Sequence, residues 1–456
     1  MGPATSARDV ILIVAAWSVL IATMLALQVA GLDFGFDIWP FGEFRNWIQL
    51  LQDGPGLAAA KLFWLLDYRN VLAPWWYIAA RPLIDAVPAA PLILQLLAQL
   101  FVGILAYLLM TELTRSRAFG LSLGILTALF IVNVHRDNIT WTSTVALGFA
   151  LLAVLLFALF CKDRNRSPLL VSSLLAWFVA IGTYTIQVGA IAAVVLVSLR
   201  QAHRVLGLSW RRAIVCAAVD VLPYAALFIL YMIIWDTTVP MYISARFPSR
   251  FSFDALAQTT AFALWNVHYH YFWSWLIYAN ALLMAALFAV LALVMFAMLR
   301  ATSSIRGVGF VRPRPGALGF VVLIGLSLIT PTITLEATSA IFVPGSRWPM
   351  VMPFWSPFLI CVVAFIALSF ARSDRLWFRL WRSWSACAAA FVMVLALGFN
   401  HTQVIHARNE RQFFSQLRAI VAQDHARGAT ATPCNSPSQR PSCHQGDYVR
   451  FIRARS

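Results

Sequence analysis

The chain has 456 residues, of which 61% are hydrophobic and only 11% charged, and its mean hydropathy is +0.78. Soluble domains are roughly half apolar and a quarter charged, so this composition excludes an ordinary soluble enzyme and predicts an all-α polytopic membrane protein. The formal net charge of +16 comes almost entirely from arginine. In a membrane protein such an excess is a topology signal, so no nucleic-acid partner is predicted.

Apolar runs long enough to cross a bilayer occur along most of the chain. A helix needs roughly 17–25 apolar residues to span the hydrocarbon, and about eleven such helices are predicted. They lie at residues 10–31, 91–111, 118–134, 143–160, 168–183, 185–199, 213–235, 276–299, 316–333, 350–371 and 383–400. The first run lacks a small-residue cleavage site, so we interpret it as a retained helix and not a signal peptide.

The apolar stretch at residues 168–199 is too long for one ordinary helix and short for two. Basic residues flank it on both sides: Lys162, Arg164 and Arg166 before it, Arg200, Arg204, Arg211 and Arg212 after it. The positive-inside rule places both flanks in the cytoplasm, so the stretch must turn back near residues 184–187. When successive connections along the chain are assigned alternately to the two sides of the membrane, 18 of the 34 basic residues lie in cytoplasmic segments. The N-terminus is then cytoplasmic.

The predicted organisation is one transmembrane domain, residues 1–400, and a short tail, residues 401–456. Eleven crossings, counted from about eleven apolar runs, would place that tail outside the cytoplasm. Cys434 and Cys443 lie in this polar tail. They suggest a disulfide in an oxidising compartment, although they could equally be free thiols.

The extracytoplasmic side offers the room for chemistry. Cytoplasmic loops are short, and none carries the GxxxxGK[ST] pattern that cradles nucleotide phosphates. The largest outer loop, residues 32–90, contains two amphipathic stretches at residues 44–51 and 57–66, which we expect to lie in the membrane interface. The loop is also dense in aromatic residues. These are typical of an interfacial belt, but beside carboxylates they also suit a groove for an acyl or prenyl chain and sugar rings.

Three carboxylates, Asp33, Asp37 and Glu43, follow the first predicted helix where the chain leaves the lipid. An ionised carboxylate beside a low-dielectric surface costs free energy unless it is paired with a cation or has a function. These three are therefore candidates for catalysis. The alternative is that they are solvated anchors or pair with Arg45.

Further polar candidates lie in the other outer turns. Arg136 and Asp137 occur in a short turn after the third helix, and Tyr184 and Gln187 occur in the next outward turn. For each pair the alternative is an ordinary polar turn. His268 and His270 could approach a metal ion, but no third ligand is evident, so they are assigned to substrate binding instead.

Two outer arginines suit phosphate binding, because the planar guanidinium binds phosphate oxygens in pairs. Arg347 lies two residues after Gly345, which lets the backbone approach a ligand closely, and Arg81 lies in the sequence AARPL at residues 79–83. The alternative for both is an interface arginine that extends its charge toward water.

The overall plan resembles the integral-membrane glycosyltransferases of the GT-C superfamily. It has one helix, a long outer loop that opens with acidic residues, interface helices, a later outer arginine and many further helices. AARPL together with the Tyr184 and Gln187 turn is similar to the GtrII-type glucosyltransferases that decorate bacterial O-antigen. The spaced carboxylates replace the usual acidic pair, and Ala80 stands where that group usually has glycine.

The resemblance implies an enzyme of the bacterial inner membrane. It would move a sugar from a polyprenyl-phosphate donor to a cell-envelope glycan or lipid on the outer face. There Asp37, with Asp33 second and Glu43 third, would take the acceptor proton. Arg347, assisted by Arg81 or Arg136, would stabilise the departing phosphate.

The remaining roles are assigned on the same basis. Asp137 would support the base or help to hold a divalent cation, and the cofactor is otherwise left open. Substrate contacts are assigned to Tyr184, Gln187, His268 and His270.

Two other functions remain as alternatives. An O-antigen ligase or polymerase is expected to carry its large arginine-rich loop late in the chain, whereas the first loop is the largest here. A transporter or flippase tends to show paired halves and polar residues at mid-membrane. The predicted spans are almost free of charge, with Asp220 as the main exception.

Overall fold

The computed structural model describes residues 72–87, 90–129, 141–238, 281–304 and 314–338, together with eight isolated positions between 254 and 394. These residues are almost entirely helical, and no strand occurs among them, so the all-α prediction is confirmed for this part of the chain. The predicted helices at residues 10–31 and 350–371 lie outside the described residues, as do the tail and its two cysteines.

The described ranges contain nine α-helices. They are α1 Ala73–Ala86, α2 Ala90–Thr114, α3 Arg117–Leu129, α4 Trp141–Lys162, α5 Ser167–Thr183, α6 Ala190–Arg200, α7 Trp210–Thr238, α8 Ala281–Ser304 and α9 Pro315–Thr338. A 3-10 helix, Thr185–Gly189, precedes α6, and a π-helical turn, Gln201–Val205, follows it. The predicted spans from residue 91 to residue 333 each overlap one of α2 to α9, although residues 130–134 and 276–280 of two of them lie outside the described residues.

Several of these helices have the length and composition of membrane spans. Among the described residues, four segments are long and apolar enough to cross a bilayer: Leu96–Thr114, Thr144–Lys162, Gln187–Val205 and Trp210–Ile233. Shorter apolar helices lie at Ser167–Thr183, Ala285–Met298 and Gly316–Leu328. These segments support the prediction of a multi-pass membrane protein.

Helix α1 was not predicted and lies inside the predicted outer loop. Its 14 residues extend only about 21 Å, which is too short to cross the hydrocarbon upright. Proline at its start favours the helix, whereas Pro82 inside it removes a hydrogen bond and argues against a helix from sequence alone. The two amphipathic stretches at residues 44–51 and 57–66 lie outside the described residues.

Glycines bring α2 and α3 close together. Gly120 and Gly124 form a GxxxG pair on α3, and a Cβ atom at Gly124 would lie 2.7 Å from the carbonyl oxygen of Gly103 on α2. A Cβ at Gly103 would in turn lie 2.9 Å from the carbonyl oxygen of Gly124. Small residues at this spacing allow membrane helices to approach closely and gain van der Waals contact.

An aromatic cluster joins α4, α5 and α7. The ring of Tyr224 lies 5.7 Å from that of Trp177 and 5.9 Å from that of Phe157, both in edge-to-face geometry. The Ser173 hydroxyl donates to the carbonyl oxygen of Ala153 at 2.6 Å and lies 2.5 Å from the Tyr224 hydroxyl. Polar contacts across helices, together with this packing, hold the three helices in register.

A buried ion pair links the α4–α5 loop to α7. The Asp220 side chain is only 7% exposed, and its carboxylate accepts hydrogen bonds from both terminal nitrogens of Arg164, at 3.2 and 2.9 Å. The Ser198 hydroxyl donates a third bond at 2.6 Å. Three donors thus stabilise the Asp220 carboxylate. Among the carboxylates in the described helices, it alone lies far from a helix end.

The turn predicted near residues 184–187 is confirmed. The Gln201 amide, just past the end of α6, donates to the carbonyl oxygen of Cys161 at the end of α4, at 2.9 Å. Because the α4–α5 loop and the end of α6 share one end of the bundle, α5 must run away from that end and α6 must return. Helix α5 has 17 residues, which places the turn about 25 Å away.

Basic residues predicted on one side of the membrane lie together at that shared end. Lys162 pairs with Glu112 at 2.5 Å, which brings the ends of α2 and α4 together. The Arg200 guanidinium lies 4.5 Å from the centre of the Phe320 ring, near the start of α9. We call this the basic end, defined by Arg115, Lys162, Arg164, Arg200 and Arg204, and the other the hairpin end, defined by residues 182–189 and α1.

Candidate functional site

The turn between α5 and α6 forms the centre of the hairpin end. Tyr184 adopts an extended conformation, with φ −153° and ψ 105°, and ends α5 before the 3-10 helix begins. The Gln187 N–H donates to the Tyr184 carbonyl oxygen at 3.0 Å, which closes the turn. The turn packs against α9 and α4. Tyr184 is half-buried, and Gln187 is only 3% exposed.

Helix α1 is fixed on this turn by its first residues. The Leu72 N–H donates to the Gly182 carbonyl oxygen at 2.6 Å, and the Trp76 indole donates to the Thr183 hydroxyl at 2.8 Å. The Trp76 ring also lies 6.0 Å from the ring of Phe149 on α4. A Cβ on Gly182 would lie 2.8 Å from the Leu72 side chain, so a larger residue there would force that side chain to shift.

The contacts bring together two sequence features that lie about a hundred residues apart. AARPL belongs to α1, and Tyr184 and Gln187 follow directly the residues that α1 contacts. Arg81 is therefore carried by a helix that is anchored to the turn between α5 and α6.

The Gln187 side chain has an unused donor. Its Nε2 atom is buried and has no hydrogen-bond partner among the described residues. A buried amide without a partner costs about 1–3 kcal/mol, so this nitrogen is a candidate for a contact with a ligand. The other such atoms in the described helices, on Thr111 and Trp177, lie within α2 and α5 and away from the turn.

The described helices also show which of their ends lie at the hairpin end. Because α4 ends at the basic end, its first residue, Trp141, lies toward the hairpin end. Helix α7 starts near the basic end and has 29 residues, so its last residue, Thr238, lies toward the opposite end.

The same argument applies to α9 and α1. The Arg204 guanidinium lies beside Gly316 at the start of α9, so the last residue of α9, Thr338, lies toward the hairpin end. Leu72 is bonded to Gly182, so the residues before α1 also join the bundle there.

Most predicted site side chains lie outside the described residues. This group comprises Asp33, Asp37, Glu43, Arg136, Asp137, His268, His270 and Arg347. Arg81 lies on α1, but only its backbone position is described. In the described helices, no three His, Cys, Asp or Glu side chains are close enough to hold a metal ion.

Comparisons with known proteins identify no relative. No protein-family model, no curated protein and no solved structure matches the chain. The function must therefore be argued from the sequence pattern and from the geometry of the hairpin end.

Proposed function

We propose that the protein is a membrane glycosyltransferase. It moves a sugar from a polyprenyl-phosphate donor to a cell-envelope glycan or lipid on the outer face of a bacterial inner membrane. The observation that carries this proposal is the hairpin end, where the AARPL helix is docked on the Tyr184 and Gln187 turn and a buried amide has an unused donor.

The proposed reaction is a displacement at the anomeric carbon of the sugar. The acceptor hydroxyl oxygen forms a bond to that carbon, the bond from the carbon to the phosphate oxygen breaks, and polyprenyl phosphate leaves. Asp37, with Asp33 or Glu43 as the alternative base, takes the hydroxyl proton, which is worth about 10²–10⁴-fold in rate. Arg347, with Arg81 or Arg136, neutralises the phosphate charge that develops.

Gln187 and Tyr184 fit the role of sugar contacts. An amide donor in a water-poor turn distinguishes a sugar hydroxyl from an apolar group, because an unmatched buried donor costs free energy. The aromatic side chains around α1 suit the apolar carrier chain and the flat face of a sugar ring. Tyr184 and Gln187 therefore hold the donor, while the loop residues carry out the chemistry.

Asp220 is the one feature that could favour a transporter, since ionisable residues inside spans often mark ion pathways. Its carboxylate is fully bonded to Arg164 and Ser198, and those bonds lie at the basic end. Because these bonds already satisfy the carboxylate, its role is to hold the helices together and not to conduct an ion, and so we favour the transferase. A ligase or polymerase would use related donors but would move a whole glycan instead of one sugar.

The proposal is tested by replacing Asp33, Asp37 and Glu43 one at a time with the amide in the native host. We expect at least one variant to lose the added sugar from the envelope glycan, as measured by mass spectrometry. Asp67→Asn is the matched control, because it removes a carboxylate from the same loop without a predicted role. Wild-type glycan in all three variants would show that the site assignment is wrong.

A further inference from the structure

The 3-10 helix at the turn continues directly into α6. Gly189 has φ −57° and ψ −20°, and Ala190 has φ −60° and ψ −25°, so the backbone stays right-handed helical from one element to the next. Residues 185–200 therefore form one helical segment, whose positive end lies at the turn. Neither the 3-10 helix nor α6 has an acidic residue in its first turn or a hydrogen bond from a capping side chain.

The acceptors at the end of α5 already have donors within the protein. Four groups accept in this way: the carbonyl oxygens of Ala180, Gly182 and Tyr184 and the hydroxyl of Thr183. Their donors are N–H groups of the turn and of Leu72, together with the Trp76 indole. Because the Gln187 N–H is one of these donors, the first two N–H groups of the segment, those of residues 185 and 186, are the ones that need an acceptor from outside the helix.

The Gln187 side chain adds a third donor at this helix start. Gln187 is the third residue of the segment, the position from which a glutamine or glutamate side chain reaches back toward the first residues of a helix. The residue is only 3% exposed, and its Nε2 atom has no hydrogen-bond partner in the part of the chain that the structure describes. Buried donors at a positive helix end, without an acidic side chain in the first turn, favour an anionic oxygen as the acceptor.

We propose that the start of this helical segment binds a phosphate oxygen of the polyprenyl-phosphate carrier, an inference that rests on the proposed function. Two backbone N–H groups and the Gln187 amide donate to this oxygen, in the way that helix N-termini bind phosphates. Because Nε2 carries two N–H bonds, it can donate to the phosphate and to a neighbouring sugar hydroxyl at the same time. Tyr184 is half-buried, so the ligand reaches the turn from its side.

A lipid-linked phosphate fits this position better than a soluble one. The helix start lies at one end of a candidate membrane span, Gln187–Val205, and is therefore close to the edge of the hydrocarbon. On α1, which is docked on the turn, Trp75 and Leu83 are 43% and 39% exposed and suit an isoprenoid chain. The turn thus holds the phosphate of the bound donor, whereas Arg347 remains the residue proposed to neutralise the charge that develops as the carrier leaves.

The test measures binding of polyprenyl phosphate and of polyprenol, the uncharged alcohol, to the full chain in phosphatidylcholine nanodiscs. Wild type should bind the phosphate more tightly than the alcohol. Gln187→Leu removes one donor and should weaken binding of polyprenyl phosphate about tenfold, with binding of polyprenol unchanged. Gln187→Glu places a negative charge at the helix start and should weaken it about a hundredfold. The control Asn165→Glu adds the same charge at an exposed position of the α4–α5 loop and should bind as wild type does.

The melting temperature without ligand distinguishes binding from folding. A helix start that needs an anionic acceptor should accommodate a carboxylate, so Gln187→Glu should melt at or above the wild-type temperature. A lower melting temperature would overturn the proposal, as would wild-type binding of polyprenyl phosphate in Gln187→Glu or equal binding of phosphate and alcohol by wild type. If inorganic phosphate bound wild type as tightly as polyprenyl phosphate does, the lipid assignment would be wrong.

This inference and the proposed function can fail separately. If deletion of the gene left the envelope glycans unchanged while binding of polyprenyl phosphate still depended on Gln187, the transferase would be wrong and the phosphate site would stand. If deletion removed a sugar but both Gln187 variants bound polyprenyl phosphate as wild type does, the phosphate site would be wrong and the transferase would stand.

Discussion

The two ends of the helical bundle differ in their charged pairs, although each has a buried polar atom without a partner among the described residues: Thr111 Oγ1 near the basic end and Gln187 Nε2 at the hairpin end. At the basic end, Asp220 accepts three hydrogen bonds and Glu112 is paired with Lys162. At the hairpin end, Gln187 is buried and its amide nitrogen has no partner among the described residues. The bonds at the basic end stabilise the fold, whereas the proposed function assigns the Gln187 amide at the hairpin end to a ligand.

The largest expected effect comes from breaking the buried ion pair. Arg164→Leu leaves the Asp220 carboxylate buried without its partner and should lower the free energy of unfolding by about 3 kcal/mol. The double variant Arg164→Leu/Asp220→Leu should recover most of this loss, because both charges are removed. Denaturant titration in detergent measures both values.

The exposed pair of Arg166 and Asp163 provides the matched control for this experiment. Their side chains lie 2.8 Å apart but are largely solvated, so Arg166→Leu should cost less than about 1 kcal/mol. Equal losses from Arg164→Leu and Arg166→Leu would contradict the assignment of Asp220 as a structural group.

The next largest effect concerns packing between the two ends. Gly124→Ala places a Cβ 2.7 Å from the Gly103 carbonyl oxygen and should cost about 2 kcal/mol through forced separation of α2 and α3. Gly319→Ala is the control, because a Cβ there meets nothing within 4 Å. That change should be neutral or stabilise the helix by up to about 1 kcal/mol. Thermal unfolding in detergent compares the two.

A smaller effect is expected where α1 joins the turn. Trp76→Phe keeps most of the ring packing but loses the hydrogen bond to the Thr183 hydroxyl, which should cost about 1 kcal/mol. The consequence should be local: hydrogen exchange should rise in α1 more than in α4 or α5. Uniform faster exchange along the whole bundle would show that α1 is not separately anchored on the turn.

The smallest change in stability is predicted for Gln187→Leu, which should reduce sugar transfer without reducing stability. Removal of an unpartnered amide should leave stability unchanged or raise it by about 1 kcal/mol, while sugar transfer falls at least about tenfold. Thr111→Val removes another unpartnered buried group, far from the turn, and should leave transfer unchanged. A strongly destabilised Gln187→Leu protein would mean that the amide has a structural partner.

Much of the bundle could be predicted from sequence because helix positions depend on local hydrophobicity and sidedness depends on the summed charge of each connection. Hydrophobic length predicted the described helices α2 to α9, and arginine placement predicted the turn near Tyr184, which the bond from Gln201 to the Cys161 carbonyl oxygen confirms. Helix α1 was missed because Pro82 argues against a helix, and its anchor on Thr183 depends on a contact between residues 107 apart.

Candidate chemistry was harder to predict for a physical reason. Whether a polar side chain binds a ligand or only forms hydrogen bonds within the fold depends on its neighbours in space, which hydropathy does not encode. Asp220 and Gln187 illustrate this: both are polar residues in apolar segments, but Asp220 accepts from three donors, whereas the Gln187 nitrogen has no partner in the part of the chain that the structure describes. The sequence indicates that both positions are candidates, but it does not show which of the two is bonded within the fold.

The most direct test of the proposed function is deletion of the gene in the native host, followed by mass spectrometry of the envelope glycans and of the polyprenyl-phosphate lipids. We predict that one sugar disappears from one envelope glycan or lipid and that the corresponding polyprenyl-phosphate sugar accumulates. Restoration by wild type but not by Gln187→Leu would assign the transfer to the hairpin end. Unchanged glycans together with unchanged lipid-linked sugars would contradict the account.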